Sequence, residues 1–106
     1  MALPAISPVL QLTSCGEALY GADWHRPMAA ALRRYHVMSP RPSLDYRIIR
    51  KWVVGDRPVA SWVPEVLPRL LAAALAERPD EAAALERLAA QLRYPSLRSI
   101  TLHQGL

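Results

Sequence analysis

Basic side chains gathered in one third of the chain are the residues whose type and spacing could do chemistry. Residues 25–57 hold seven arginines and one lysine against two aspartates, a net charge of +6. Residues 1–24 carry −2 and residues 58–106 are neutral, so all the excess positive charge lies in this segment. A localised cluster of guanidinium groups is typical of a surface that binds a polyanion. A solvated basic face on an ordinary small domain is the other interpretation of this pattern.

Residues able to support catalysis or hold a metal ion show no matching pattern. His25, His36 and His103 lack metal-ligand spacing. Cys15 is a single cysteine, which excludes an internal disulfide bond and a cysteine-based zinc cluster. The four glycines are scattered singly, so there is no glycine-rich phosphate loop, and no nucleophile is spaced with a base. We therefore expect no enzyme activity, no cofactor and no metal site.

Length and hydropathy set the broad class of protein. A chain of 106 residues with 52% hydrophobic side chains fits one folded domain. No apolar run reaches the roughly 18–20 residues that a membrane span needs. Residues 1–12 also lack the basic start and apolar stretch of a signal peptide. We expect a cytoplasmic protein without a membrane partner.

Helix signals dominate the elements that must position the basic residues. The sequence predicts an all-α fold, a compact bundle of about five helices. The first helix starts either at Ser7 or at a capping box opened by Ser14, and Gly21 ends it in a left-handed conformation. Asp23 is the expected cap of a second helix, which begins at Trp24 and repeats apolar residues at helical spacing.

A third helix is predicted beyond the ten-residue segment Arg33 to Pro42, whose two prolines indicate an extended loop. Ser43 is its expected N-cap, and Asp45 in the first turn suits the helix dipole. The helix places apolar side chains on one face and polar ones on the other. The apolar stripe is Leu44, Ile48, Ile49 and Trp52, and the opposite face is Tyr46, Arg47, Arg50 and Lys51. We assign Trp24 and Trp52 to the core.

Two leucine-rich and alanine-rich helices are predicted in the rest of the chain. One runs from Ser61–Pro64 to about Glu77 and the other from about Glu81 to Arg93, followed by a tail with at most a short strand at Ser99–Leu102. Their apolar faces have three possible uses: completing the core of one chain, pairing two copies in a homodimer, or docking a protein partner. Completion of the core is slightly favoured, because a short chain needs all the core it can form.

Several short motifs follow one another in a fixed order. Leu19-Tyr20-Gly21 comes first, and after it come Trp24, Met28-Ala29, Leu32, Ile49-Arg50-Lys51-Trp52 and Gly55-Asp56-Arg57-Pro58. Together they resemble the small Cro/C1-type helix-turn-helix DNA-binding proteins of proteobacteria and their phages, over about residues 17–75. The resemblance implies a supporting helix and then a recognition helix whose N-terminal residues reach base edges in the major groove. We divide the chain accordingly into an N-terminal arm or short helix (1–16), a helix-turn-helix domain (17–78), and a C-terminal helix and tail (79–106).

The turn between the two helices departs from the family pattern, because Arg33 to Pro42 is inserted there. A plain spacer is the favoured interpretation, and an arginine arm in the minor groove is the alternative. Carried over from the family, the base-reading positions are Asp45, Tyr46 and Arg47, whereas Arg50 and Lys51 approach phosphate or adjacent bases. For Tyr46, a ring that caps the core is the alternative. The full set of candidate DNA-contacting residues is Ser43, Asp45, Tyr46, Arg47, Arg50, Lys51, Arg41 and Arg57.

The sequence therefore predicts sequence-specific binding to double-stranded DNA through a basic recognition helix, as in a bacterial or phage transcription regulator. The alternative is a protein-interaction module, a phage-type adaptor or inhibitor that keeps the helix-turn-helix scaffold but binds protein. The two differ in the surroundings of the basic residues on the third helix. An open surface favours DNA, whereas the DNA hypothesis loses support if Arg47, Arg50 and Lys51 pair with Asp45, Asp56 and Glu65.

Overall fold

The computed structural model describes residues 7–35 and 44–97, and within these ranges the chain is all α-helical without strands. The five α-helices are α1 (Pro8–Tyr20), α2 (His25–Tyr35), α3 (Tyr46–Val54), α4 (Val63–Glu77) and α5 (Ala82–Gln91), and a short 3₁₀ helix at Pro79–Glu81 precedes α5. The radius of gyration is 13.8 Å, close to the value of about 13 Å expected for a compact domain of this size. The predicted all-α bundle of about five helices is confirmed. The strand considered at Ser99–Leu102 lies outside the described residues.

Helix α1 starts at the earlier of the two predicted positions. The Ser7 hydroxyl accepts a hydrogen bond from the Val9 N–H at 3.2 Å and so caps the helix. The alternative start at Ser14 is wrong, since Ser14 lies inside α1. Gly21 ends α1 as predicted, but at φ 81° and ψ −155° it is not in the left-handed helical conformation. This region of backbone space is open essentially to glycine alone.

Glycine is required inside α1 as well, because the ring of Trp24 packs directly on the helix at Gly16. A Cβ atom on Gly16 would lie 2.2 Å from Trp24 Cε3, far inside contact distance. Trp24 is 3% exposed, which confirms its place in the core. Helix α2 begins one residue later than predicted: the Trp24 carbonyl accepts from the Met28 N–H at 2.9 Å, so Trp24 rather than Asp23 holds the N-cap position.

Helix α3 begins at Tyr46 because Asp45 is its N-cap. One Asp45 carboxylate oxygen accepts from the Arg47 N–H at 2.8 Å and from the Ile48 N–H at 3.4 Å. The prediction that Ser43 caps the helix, with Asp45 in its first turn, is therefore wrong. Asp45 has the extended backbone of a cap residue, and its carboxylate already satisfies the first free N–H groups. Ser43, Arg41 and the rest of residues 36–43 lie outside the described ranges.

Helix α4 lies at the centre of the core, in contact with α1, α2 and α5. Its apolar face is buried within the chain, and so are Leu85 and Leu92 of the C-terminal region. The interpretation that these faces complete the core of one chain is confirmed for the described residues, where the large hydrophobic side chains left exposed are Leu10 and Val54. The fully buried side chains of the core include Leu12, Met28, Leu32, Ile49, Val63, Leu67, Leu71 and Leu97.

Candidate nucleic-acid interface

Helix α3 presents a basic outer face and packs its apolar face inward against α2 and α1. Ile49 and Trp52 are buried at 0% and 5% exposure, whereas Arg47, Arg50 and Lys51 are all exposed. This division follows from the helical repeat, since residues three and four apart share a face. The predicted amphipathic pattern of the third helix and the core position of Trp52 are confirmed.

Tyr46, the first residue of α3, lies close to two arginines from different helices. The guanidinium carbon of Arg26, on α2, is 4.1 Å from the centre of the Tyr46 ring. The guanidinium carbon of Arg47 is 5.9 Å from the same centre. Both distances fall within the range of about 6 Å in which a cation is attracted to an aromatic face. Tyr46 is partly exposed and is not among the side chains packed on the core, so the core-capping alternative is wrong.

The positive charge of nearby arginines acts on the Tyr46 phenol. The pKa of the Tyr46 phenol is lowered, first by a hydrogen bond with Arg47 and then by the charges of Arg26, Arg47 and Arg50. The same hydrogen bond raises the pKa of the Arg47 guanidinium, with the Asp45 charge adding to the effect. Three arginines thus act on one phenol, two of them within cation–π distance of its ring. We call Tyr46, Arg26, Arg47 and Arg50 the Tyr46 cluster.

An open cleft of about 650 Å³ lies beside the Tyr46 cluster, between the turn before α2 and the start of α3. Its walls carry two guanidinium groups and an imidazole against one carboxylate. The lining residues are Ala22, Asp23, His25, Arg26, Tyr46 and Arg50. A concave surface with an excess of arginine attracts anions, and the forked donors of arginine match the oxygen atoms of a phosphate group.

The basic residues of α3 are open rather than neutralised. Arg47, Arg50 and Lys51 form no ion pair with any carboxylate of the described residues. Asp45 accepts a hydrogen bond from the backbone N–H of Arg47, and it acts on the Arg47 guanidinium through its charge. Among the described residues, the three basic side chains therefore do not pair with Asp45, Asp56 or Glu65.

The structure brings together only some of the predicted site residues. Tyr46, Arg47 and Arg50 meet in the Tyr46 cluster, and Asp45 adjoins them as the cap of α3. Lys51 lies farther along the exposed face. Arg57 is exposed just beyond the end of α3, and its N–H donates to the Lys51 carbonyl. Ser43 and Arg41 are the two candidates outside the described ranges.

Arg26 is the residue of the site that the sequence prediction missed. Arg26 belongs to the basic segment 25–57, but the resemblance assigns no DNA contact to the second helix, where Arg26 lies. Arg26 and Tyr46 are 20 positions apart, and only the packing of α2 against α3 brings them together. The one signal that could have found it is its place in the first turn of α2, beside the core residue Trp24.

Comparison of the chain with protein-family models, with curated proteins and with solved structures gave no significant match. The interpretation of the site therefore depends on its own residues. In the part of the chain that the structure describes, no helix has both the length and the apolar character needed to cross a bilayer. Over the same ranges, no three His, Cys, Asp or Glu side chains lie together in a group that could hold a metal ion.

Proposed function

We propose that this chain binds double-stranded DNA through the Tyr46 cluster and the exposed face of α3, and that it acts as a bacterial or phage transcription regulator. The observation that carries the proposal is the convergence of Arg26, Arg47 and Arg50 on Tyr46 without a paired carboxylate among the described residues. Holding three like charges together on a surface is unfavourable unless an anion neutralises them. A phosphodiester backbone supplies that anion at regular spacing.

The dimensions of α3 suit the major groove. As an α-helix of nine residues it is about 10–12 Å in diameter with its side chains, and the groove is about 12 Å wide and admits an α-helix. Arg47, at the exposed N-terminal end of α3, is placed to reach guanine acceptors. Arg26 and Arg50, which line the cleft, are placed to hold a phosphate beside it. Lys51 and Arg57 extend the positive surface beyond the cluster.

The regulatory part of the proposal has a separate basis. It is supported by the order of sequence motifs from Leu19-Tyr20-Gly21 to Gly55-Asp56-Arg57-Pro58, which resembles that of Cro/C1-type regulators. The residues of these motifs lie in the described part of the chain, from the end of α1 to the turn that follows α3. The DNA-binding part depends on the Tyr46 cluster and would stand without the resemblance.

Fluorescence anisotropy of a labelled random duplex tests the proposal. The protein is titrated at about 50 mM and about 200 mM salt. The logarithm of the binding constant should fall as the logarithm of the salt concentration rises, with a slope of about −0.9 for each phosphate neutralised. Arg47→Ala/Arg50→Ala should weaken binding and reduce the steepness of that slope by about 1, the share of the phosphate contact assigned to Arg50. The matched control is Arg69→Ala/Arg87→Ala, which removes two exposed arginines from α4 and α5 and should leave the slope unchanged.

Two results would overturn the proposal. One is the absence of binding at the lower salt concentration by protein whose circular dichroism spectrum is that of a folded helical bundle. The other is an equal loss of affinity in the two double variants, because that would reflect net charge alone and not the Tyr46 cluster.

A further inference from the structure

A second cavity lies away from the Tyr46 cluster, between the C-terminal ends of α1 and α2 and the second half of α4. Its volume is about 210 Å³, and none of its lining residues belongs to the cluster. The floor is apolar and includes the buried side chains of Leu19, Leu70 and Ala74. Alanines at positions 31 and 73 also line it, and their small side chains leave the space open.

The rim of this cavity is polar and carries a net positive charge. Arg34 and Arg78 lie there against Glu77, beside the phenol groups of Tyr20 and Tyr35. All four neighbours act electrostatically on the Tyr20 phenol, whose pKa is raised mainly by burial; they are Arg78, Arg34, Glu77 and Tyr35. The Tyr20 hydroxyl therefore keeps its proton at neutral pH and can donate a hydrogen bond.

The two arginines of the rim have different states. The Arg78 guanidinium donates to the Leu19 carbonyl at 2.9 Å and lies 3.6 Å from a Glu81 oxygen. Arg34 is exposed and forms no ion pair with a described residue. Arg78 is thus held as part of the wall, whereas Arg34 has its donors open at the mouth of the cavity.

We propose that this cavity binds a small organic anion, a carboxylate carried on a single apolar ring or a similar body. The carboxylate would pair with Arg34 and accept from the Tyr20 hydroxyl, while the ring would contact Leu19, Leu70 and Ala74. The volume is below the range of about 300–1,000 Å³ typical of sites for drug-sized ligands, which limits the occupant to one ring. An apolar floor with a few converging polar groups is the usual composition of such a site. This inference does not depend on the DNA-binding proposal.

Benzoate and benzamide are matched probes, because they have nearly the same shape and differ in charge. Each is titrated into ¹⁵N-labelled full-length protein, and the amide shifts of residues 19–20, 31–35 and 70–78 are followed. We expect benzoate to bind in the millimolar range typical of so small a ligand and to shift these amides. Benzamide should bind at least about tenfold more weakly, since it cannot form the charge-assisted pair.

Two variants locate the site. Arg34→Gln should weaken benzoate binding at least about tenfold, whereas Arg33→Gln, an exposed neighbour on α2 that does not line the cavity, should change it less than about twofold. Ala73→Leu should fill the cavity and abolish binding while the chain stays folded, because Ala73 is exposed on α4. The proposal is overturned if benzoate shifts no amides around the cavity, if benzamide binds equally well, or if the two arginine variants weaken binding equally.

Discussion

The contact between Gly16 and Trp24 gives a stability prediction that the structure makes quantitative. A methyl group at position 16 would meet three carbons of the Trp24 ring at 2.2, 2.4 and 2.9 Å. Normal carbon–carbon contacts are about 3.5–4.0 Å, so Gly16→Ala must push the ring outward by more than about 1 Å. The ring has little room to move, because Trp24 is 3% exposed and stacks on the His25 ring with centres 4.2 Å apart.

The change in the free energy of unfolding expected for Gly16→Ala is the difference between two opposing effects. Overpacking a buried site costs about 1–3 kcal/mol, and the severity of this overlap places Gly16→Ala at the upper end. Replacing a mid-helix glycine by alanine returns up to about 1 kcal/mol of helix propensity. The net loss in the free energy of unfolding is therefore about 2 kcal/mol. In a domain of this size that corresponds to a fall in Tm of roughly 8–16 °C.

Urea denaturation followed by circular dichroism measures this loss, and a double-mutant cycle assigns it to the contact. In a Trp24→Leu background the obstructing ring is absent, so Gly16→Ala should become neutral or stabilising. A Gly16→Ala protein as stable as the wild type would refute the packing argument. Equal destabilisation in both backgrounds would refute the assignment to Trp24. The same displacement should weaken DNA binding, because Arg26 lies in the helix that begins beside Trp24.

Three further predictions concern single side chains. Arg26→Gln should reduce the steepness of the salt slope of DNA affinity by about 1, the share of one lost phosphate contact. The control variant Arg33→Gln should leave the slope closer to that of the wild type. Equal effects of the two variants in anisotropy titrations would exclude a special role for Arg26. Asp45→Ala should lower the free energy of unfolding by about 1 kcal/mol through loss of the N-cap of α3, and Asp45→Asn should recover most of it in urea denaturation. Burial raises the pKa of the Cys15 thiol to about 12, above its value in the unfolded chain. The stability contribution of the protonated thiol is therefore complete below about pH 9 and is lost between pH 9 and pH 12, at about 1 kcal/mol per pH unit. Cys15→Ala should remove most of this fall between pH 8 and pH 10, and an identical fall in that variant would contradict the assignment.

The local pattern of apolar and polar residues was sufficient to predict the helices of the described chain and the two faces of the third helix. Ile49 and Trp52 recur at helical spacing, and the structure buries both while leaving Arg47 and Arg50 exposed. These features depend only on the helical repeat and on the preference of apolar side chains for burial. For the same reason, most of the basic residues of the site could be named before the fold was known.

Competing local signals account for the errors at the helix starts. Ser43 and Asp45 are both good N-cap residues, two positions apart, and the sequence does not say which carboxylate or hydroxyl reaches the free N–H groups. Ser14 fitted a capping box because Glu17 follows it by three residues, yet both lie inside α1. The glycine between them has a tertiary reason: the Trp24 ring occupies the space that a side chain at position 16 would need.

Contacts between helices were beyond a reading of the sequence. The approach of Arg26 to Tyr46 depends on how α2 packs against α3, and no local spacing encodes it. For the same reason, the sequence alone did not decide whether the apolar faces of α4 and α5 complete the core or bind a partner, since burial depends on what packs against a face. The cavity between α1, α2 and α4 likewise arises from three helix ends that are distant in sequence.

Mapping the DNA contact on the chain by NMR tests the central claim most directly. A random-sequence duplex is titrated at low salt into ¹⁵N-labelled protein, with amide shifts and arginine Nε–Hε signals recorded together. We predict that the largest changes fall on residues 25–26 and 46–51, that the side-chain signals of Arg26, Arg47 and Arg50 move with them, and that added salt reverses both. No change at low salt, or changes confined to α4 and α5, would contradict the assignment of the Tyr46 cluster as a DNA-binding surface.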